Sequence, residues 1–346
     1  MNKNKLVACM LGTILLLGNT MPVLASESQL KVLTLEKAIK QANEVSRELT
    51  SQQRSQEYLL EKEDNELNSG RYGGYIKYNT DREYAKKKEM LEKEQITLQI
   101  SKLFDEIIVA EKELSTTQKN ILLKEKEIAK QELMYKNGMA SELNLESIRL
   151  SYEQLLDSKK KIEDSIESKY SQLCKSIGTR TQRYALEKDE NIFSPYLYEG
   201  SADSIAEKRA KEHLDVWNAE EAIKVAEWSF NGGSFDEYLD YNNRKEITKD
   251  TSRNIEDMTQ TYIRDLYVQV RQLEQQYSIL SKDIELKAKE IQVNNAYLEK
   301  GLISQVDYDK KVVAYEESKI SLEKLVNNHT YLKKQLNNPS LISIGR

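Results

Sequence analysis

The sequence has few of the residues from which catalytic and metal sites are usually built. It contains two cysteines and two histidines in 346 residues. Cys9 lies in a segment that we expect to be removed, so Cys174 would have no disulfide partner. His213 and His329 are far apart and have no partners at ligand spacing. With no nucleophile motif or phosphate loop either, we predict no catalytic residue, no metal site and no cofactor, and therefore a protein that is not an enzyme.

The sequence also lacks an excess of positive charge and, beyond its N-terminus, a long apolar run. Its formal net charge is −5, and loss of Lys3 and Lys5 with the N-terminal segment would bring it to about −7, which argues against a nucleic-acid partner. No later run approaches the ~20 apolar residues of a membrane helix. The apolar run from Leu6 to Leu17, followed by small residues up to Ala25, is typical of a signal peptide. We predict that residues 1–25 direct export across the cytoplasmic membrane.

Helix-breaking residues are scarce and lie at particular places. There are 12 glycines and 3 prolines, and none lies inside a helix that we would predict. Their positions divide the chain into a first repeat at 26–178, a linker at 179–202, a second repeat at 203–338 and a tail at 339–346. The linker contains an aromatic and apolar cluster, namely Phe193, Tyr196, Leu197 and Tyr198.

Apolar residues at seven-residue intervals occur twice, and each series leads to one glycine. The first series is Ile100, Ile107, Leu114, Ile121, Ile128 and Tyr135, before Gly138; the second is Ile263, Val270, Tyr277, Ile284, Ile291 and Leu298, before Gly301. This period keeps the side chains on one helix face that packs against another helix. Ser141 and Ser304 are good N-caps for returning helices, and Asp307 stands at the capping-box position.

We therefore predict an all-α fold of two tandem, long antiparallel helical hairpins with coiled-coil packing and tips at Gly138 and Gly301. The long helices are expected from about Arg82 to Lys136 and from about Lys249 to Lys300. Shorter helices are expected from Thr34 to about Leu67 and from about Ala202 to Ser229. Because such faces need lateral partners, side-by-side assembly is also expected.

The tip sequences resemble the TolC family of outer-membrane efflux ducts. The matching stretches run from Leu133 through Gly138 to Asn144 and from Tyr297 through Gly301 to Asp307, and residues 33–39 resemble that family's usual start. The resemblance implies a homotrimer whose twelve helices close a cylinder (an α-barrel), and tips that dock the adaptor protein of an export pump. The docking residues would be Asn137, Gly138, Met139, Lys300, Gly301 and Leu302.

The resemblance also identifies lumen or gate candidates. Asp307 matches an acidic position near the family's closable mouth, and its counterpart in the first repeat is Asn144. The family's gating tyrosine and arginine are absent, because Leu298 and Ile303 stand at those places.

The main departure from the family lies where it inserts its membrane-barrel strands. The corresponding breaks, 70–81 and 231–244, are too short for two spanning strands of ~9–11 residues each. We expect the barrel to be missing or reduced to a short β-crown, and tight polar linkers are an equal alternative. Gly70 to Tyr78 has an aromatic, strand-like pattern. Membrane association would then depend on partners or on that crown.

Three functions remain open from the sequence. The first is a non-catalytic duct component of an export system in the cell envelope. The second is an extracytoplasmic structural or adhesive coiled-coil scaffold without transport activity, which the missing barrel keeps open. The third, an export adaptor, would need a β-rich domain and usually a membrane anchor, and neither is visible.

Overall fold

Residues 30–197, 200–229 and 234–342 are described by the computed structural model. The predicted signal peptide lies outside the described residues, as do 343–346 of the predicted tail. The described chain contains eight α-helices and two short strands, which confirms the predicted all-α class. In order, they are β1 (Val32–Thr34), α1 (Leu35–Val45), α2 (Arg47–Asn68), α3 (Tyr72–Lys136), α4 (Glu142–Ser176), β2 (Ala185–Glu187), α5 (Ala202–Ala210), α6 (Leu214–Ser229), α7 (Phe235–Glu299) and α8 (Gln305–Asn337), followed by a 3-10 turn at Pro339–Leu341.

Two helices dominate the molecule, and they are equal in length. Helices α3 and α7 each contain 65 residues, which corresponds to roughly 97 Å at 1.5 Å per residue. Both begin earlier than predicted, by about ten residues for α3 and about fourteen for α7. The part of each helix that carries the seven-residue series was therefore predictable, whereas its N-terminal extension was not.

The strand-like prediction for residues 70–78 is wrong, because Tyr72 begins the helix α3, which continues to Lys136. The reversal is a tight turn at Ser69–Arg71, in which the Arg71 N–H donates to the Glu66 carbonyl at 2.9 Å. Strand propensity yields here to pairing between α2 and α3. The Glu63 carboxylate on α2 accepts hydrogen bonds from two side chains of α3, Arg82 Nε at 2.6 Å and Asn79 Nδ2 at 2.9 Å.

Gly73 and Gly74 also contradict the expectation that no glycine lies inside a helix, since both are in the first turn of α3. The Glu66 side chain occupies the space that a Cβ on Gly74 would need, so the glycine leaves room for this side chain beside the turn.

Neither break contains a strand among its described residues, so the β-crown alternative is wrong for that part of the chain. The first break is the tight polar turn that was the other alternative. In the second break, residues 231–233 lie outside the described residues, and helix α7 occupies the rest.

The two shorter predicted helices are each divided in two. Ser46 separates α1 from α2, and its Oγ accepts the Leu49 N–H at 3.2 Å as the N-cap of α2. His213 separates α5 from α6, and its Nδ1 accepts the Asp215 N–H at 3.1 Å. In both places a side chain supplies the acceptor that a new helix start requires.

Each repeat has its own apolar core near the middle of its long helices. The first core includes Ile100, Ile107 and Tyr170, and the second includes Ile263 and Val270. The seven-residue series is buried here but becomes more exposed toward the glycines, where Tyr135 is 42% exposed. One chain therefore covers its own stripes most completely at their first two positions, near the middle of the long helices.

The linker after the first repeat is joined to the start of the chain by a two-stranded ribbon. Strands β1 and β2 are parallel, and Leu33 pairs with Leu186. Leu33 is buried against the first core. The ribbon thus fixes the path of the linker across the helices.

The four helices that reach the tips form a row. Helix α3 packs against α4 and α8, and α8 packs against α7, so the order across the row is α4, α3, α8, α7. The α2–α3 turn and the N-terminal end of α7 lie at the opposite end. In the described part of the chain, every helix is too short or too polar to cross a membrane.

Candidate functional site

The two hairpin tips have the same backbone geometry. At the first, Gly138 N–H donates to the Tyr135 carbonyl at 2.9 Å, and Met139 N–H to the Met134 carbonyl at 2.8 Å. At the second, Gly301 N–H donates to Leu298 at 2.9 Å, and Leu302 N–H to Tyr297 at 2.8 Å. The bond that spans five residues is the mark of a Schellman C-cap.

Glycine is required at both tips by the backbone, not by crowding. Gly138 and Gly301 have φ of 71° and 70°, in the left-handed region that side chains disfavour. A Cβ at either position would meet no atom within 4 Å. The tips are therefore open to solvent on the side where a partner could approach.

Serine caps the returning helix at each tip. Ser141 Oγ accepts the Asn144 N–H at 3.3 Å, and Ser304 Oγ accepts the Asp307 N–H at 3.2 Å. The Ser304 hydroxyl also donates to Asp307 Oδ2 at 2.7 Å, and this hydrogen bond lowers the pKa of the exposed Asp307 carboxyl. Asn144 and Asp307 thus occupy equivalent positions in the first turn of α4 and α8.

Apolar side chains stand exposed at both tips. Met139 and Leu302 each follow a tip glycine directly, and their side chains are 64% and 66% exposed. Leu143 and Leu133 add exposed apolar surface beside the first tip. Because these exposed apolar side chains stand next to one another at the tip turns, they are candidates for contact with a partner.

The two hairpins are joined where α3 packs against α8, a contact that we call the inter-hairpin seam. The two helices are antiparallel, and two rows of polar contacts run along the seam. The first row is Lys112–Glu323 at 2.6 Å, Lys119–Glu316 at 2.6 Å and Lys126–Asp309 at 3.4 Å. The second is Glu113–Lys324, Asn120–Glu317 at 2.8 Å and Glu127–Lys310. Both rows advance by seven residues on each helix, so they fix the register and place the two tips at the same end.

A buried polar network, which we call the Asp105 anchor, ties the linker to this seam. Asp105 on α3 pairs with Lys188 at 2.5 Å and accepts from Asn191 Nδ2 at 3.1 Å. The Tyr331 hydroxyl of α8 also donates to Asp105 and lies 3.2 Å from the Ser101 carbonyl. Burial and the bond to Asp105 raise the pKa of Tyr331, so its hydroxyl keeps its proton.

Sequence reasoning missed both the seam and the anchor. The seam had a visible signal, since Lys112, Lys119 and Lys126 share the seven-residue period of the apolar stripe, as do Asp309, Glu316 and Glu323. The anchor had none, because its members come from three segments far apart in the chain. Within residues 30–197, 200–229 and 234–342, no group of three or more His, Cys, Asp or Glu side chains could hold a metal ion.

Comparison of the sequence with protein-family models gives no match, and neither does comparison with curated proteins. Solved structures do match. The fold is similar to that of CusC, which forms a transmembrane channel, with a TM-score of 0.64 and 11% identity over 89% of this chain and 91% of that one. It is also similar to the outer-membrane protein VceC of Vibrio cholerae (0.59, 10%, 88% and 94%) and to the MtrE outer-membrane channel of Neisseria gonorrhoeae (0.54, 14%, 88% and 89%).

These similarities extend over nearly the whole of each chain, so they concern the complete architecture. The chain therefore has the TolC-like fold. At 10–14% identity they define the fold, and what the molecule does has to be argued from its own surfaces.

Proposed function

We propose that this protein is a non-catalytic, extracytoplasmic duct component of an export system in the cell envelope. Three copies would close a helical channel, and the glycine tips would dock the adaptor protein of a pump. The observation that carries the proposal is the pair of equivalent tips at one end of a fold that matches channel proteins over nearly its full length. Its mechanism is passage and gating, without bond chemistry.

An unpaired apolar stripe on α7 supports lateral assembly. Ile279, Leu286 and Val293 are spaced by seven residues and are 70%, 65% and 50% exposed. Each lies two residues after a member of the second seven-residue series, and therefore about 200° around the helix from it. Helix α7 thus carries one stripe toward α8 and a second on its opposite face, at the edge of the four-helix row.

The other edge of the row offers a matching surface at the same height. On α4, Leu143 and Leu150 are exposed, and each lies two residues from a member of the face toward α3. Three contacts across the row show which residues of the two edge helices lie at the same height. Tyr152 of α4 contacts Glu125 of α3 at 3.0 Å, Lys126 of α3 contacts Asp309 of α8 at 3.4 Å, and Lys311 of α8 contacts Glu290 of α7 at 2.7 Å. Residue 152 therefore lies at about the height of residue 290. Leu150 on one chain would therefore meet the region of Val293 on the next.

A cysteine pair tests this closure. In the mature chain the native Cys174 is buried, so Leu150→Cys combined with Val293→Cys should give a disulfide ladder that ends at a trimer. Leu150→Cys combined with Met90→Cys is the control, because Met90 is also exposed but lies in the half of α3 away from the tips. This pair should stay monomeric on a denaturing gel. Disulfide-linked species larger than a trimer, or no disulfide-linked species at all, would contradict a closed trimer.

Adaptor docking is tested at the tips. Met139→Asp with Leu302→Asp should abolish binding of an adaptor encoded beside this protein while leaving the helical circular-dichroism signal unchanged. Phe235→Asp places the same charge at an exposed apolar residue of the opposite end and should leave binding intact. Equal binding by all three proteins would remove the tips from the proposal.

The scaffold alternative is favoured by one observation. At the end opposite the tips, the described residues are helical where the sequence resemblance leads one to expect membrane strands. A scaffold would form side-by-side assemblies without a water-filled lumen. Conductance of the purified oligomer in a planar bilayer, or passage of a fluorescent dye through it, would favour the duct.

A further inference from the structure

A cavity of about 880 Å³ lies over the inter-hairpin seam, away from the tips. Its walls come from α3, α7, α8 and the segment formed by β2 and the linker after it, so it is built by both repeats of one chain. This volume is within the range of pockets that hold drug-sized molecules. Every residue that lines it is among those the structure describes.

The floor of the cavity is apolar and aromatic. The Phe193 and Tyr277 rings are stacked, with their centroids 3.6 Å apart and an interplanar angle of 6°. The Phe193 ring also contacts the His329 ring, with a centroid distance of 4.9 Å. Half-buried aliphatic side chains from all four walls complete the floor, namely Ile108, Leu186, Ile284 and Leu322. Of the aromatic and apolar cluster predicted in the linker, Phe193 lies in this floor, whereas Tyr196 belongs to the second core and Tyr198 lies outside the described residues. Tyr277 and Ile284 belong to the second seven-residue series and are only partly buried.

The rim of the cavity is acidic. Two of its ammonium groups are neutralised, because Lys112 pairs with Glu323 and Lys188 pairs with Asp105. The remaining lining charges are one ammonium, Lys319, and three carboxylates, Glu111, Glu187 and Glu190. Glu187 and Glu190 form no ion pair with any described residue.

We propose that this cavity binds an organic cation with an apolar body. The aromatic and aliphatic floor would take the apolar part, and the uncompensated carboxylates would attract the positive charge. An anion of the same shape would meet the same floor but an unfavourable rim. The proposal is independent of the duct function, because it concerns a site within a single chain.

An isosteric pair of ions separates charge from shape. Tetraphenylphosphonium and tetraphenylborate are similar in size and opposite in charge, and their binding to the purified mature protein can be measured by isothermal titration calorimetry. We expect one phosphonium site per chain and at least about tenfold weaker binding of the borate, which corresponds to about 1.4 kcal/mol. Equal affinities for the two ions, or no phosphonium binding, would overturn the proposal.

Two variants locate the site. Leu322→Trp should fill the cavity and weaken phosphonium binding at least about tenfold, whereas Met90→Trp, on an exposed face of α3, should not change it. Glu187→Gln with Glu190→Gln should reduce the preference for the cation without affecting folding, since both side chains are exposed. Asp240→Asn is the control, because it removes an exposed carboxylate that does not line the cavity, and it should leave the preference unchanged. If Leu322→Trp fails to fold, the glutamate variant still decides, because an unchanged preference would place the ion elsewhere.

Discussion

Replacing Asp105 by alanine should cost the protein about 3–5 kcal/mol of unfolding free energy. In the anchor, the Asp105 and Lys188 side chains are 8% and 7% exposed, so the change leaves an ammonium ion buried without its partner. The other members of the network lose less. The Tyr331 hydroxyl can still reach the Ser101 carbonyl at 3.2 Å, and the Asn191 amide still reaches Asn327 at 2.7 Å.

The estimate therefore depends on one buried charge, and a double-mutant cycle isolates it. Lys188→Met in the Asp105→Ala background should recover at least about 1 kcal/mol, because it removes the unpaired ammonium. The assay is urea unfolding followed by far-UV circular dichroism. Lys112→Met is the matched control, since Lys112 pairs with Glu323 at the same seam but is 43% exposed, and it should cost no more than about 1 kcal/mol.

Two results would refute this reasoning. If Asp105→Ala costs under about 1 kcal/mol, comparable to an exposed pair, the linker is not held by the anchor. If the two substitutions are additive, Asp105 and Lys188 do not interact in the folded protein.

Three further predictions concern the tips, the seam and pH. Gly138→Ala should lower stability by about 1–2 kcal/mol through backbone strain alone, and Gly301→Ala by the same amount, since neither site is crowded; a much larger loss in thermal unfolding would mean that the turns are packed. Lys119→Glu should destabilise by about 0.5 kcal/mol at low salt and less in 1 M NaCl, and Glu316→Lys added to it should restore stability; failure of the swap to rescue would argue against the seam pairing. Burial lowers the pKa of His213, so its contribution is complete above the unfolded-state pKa of about 6.5 and is lost as pH falls below it. His213→Asn, which keeps a capping oxygen, should therefore flatten stability between pH 7 and 5, and an unchanged slope would exclude His213 as its source.

The sequence was sufficient for features that depend on local, repeated signals. Apolar residues seven apart predicted the long helices, and a glycine followed by a serine predicted each tip with its cap. Those signals are strong because each position is constrained by the helix period or by backbone conformation. Both tips have the predicted turn and N-cap.

Features set by distant partners were not predictable in the same way. Tyr72 and its neighbours have strand propensity, yet they are helical because α2 packs beside them. The breaks at Ser46 and His213 follow from capping by single side chains, for which the flanking sequence gives little warning. The anchor combines residues up to 230 positions apart, and the cavity likewise joins both repeats, so they exist only after the hairpins are aligned.

The central claim is that one chain supplies two hairpins, with both tips at one end, to a closed ring of subunits. Electron cryo-microscopy of the purified mature protein tests it most directly. We predict particles with threefold symmetry, a hollow helical wall and long helices of roughly 97 Å, with six hairpin tips at one end. Solid rods that contain one or two chains, or tips at both ends of the particle, would contradict it.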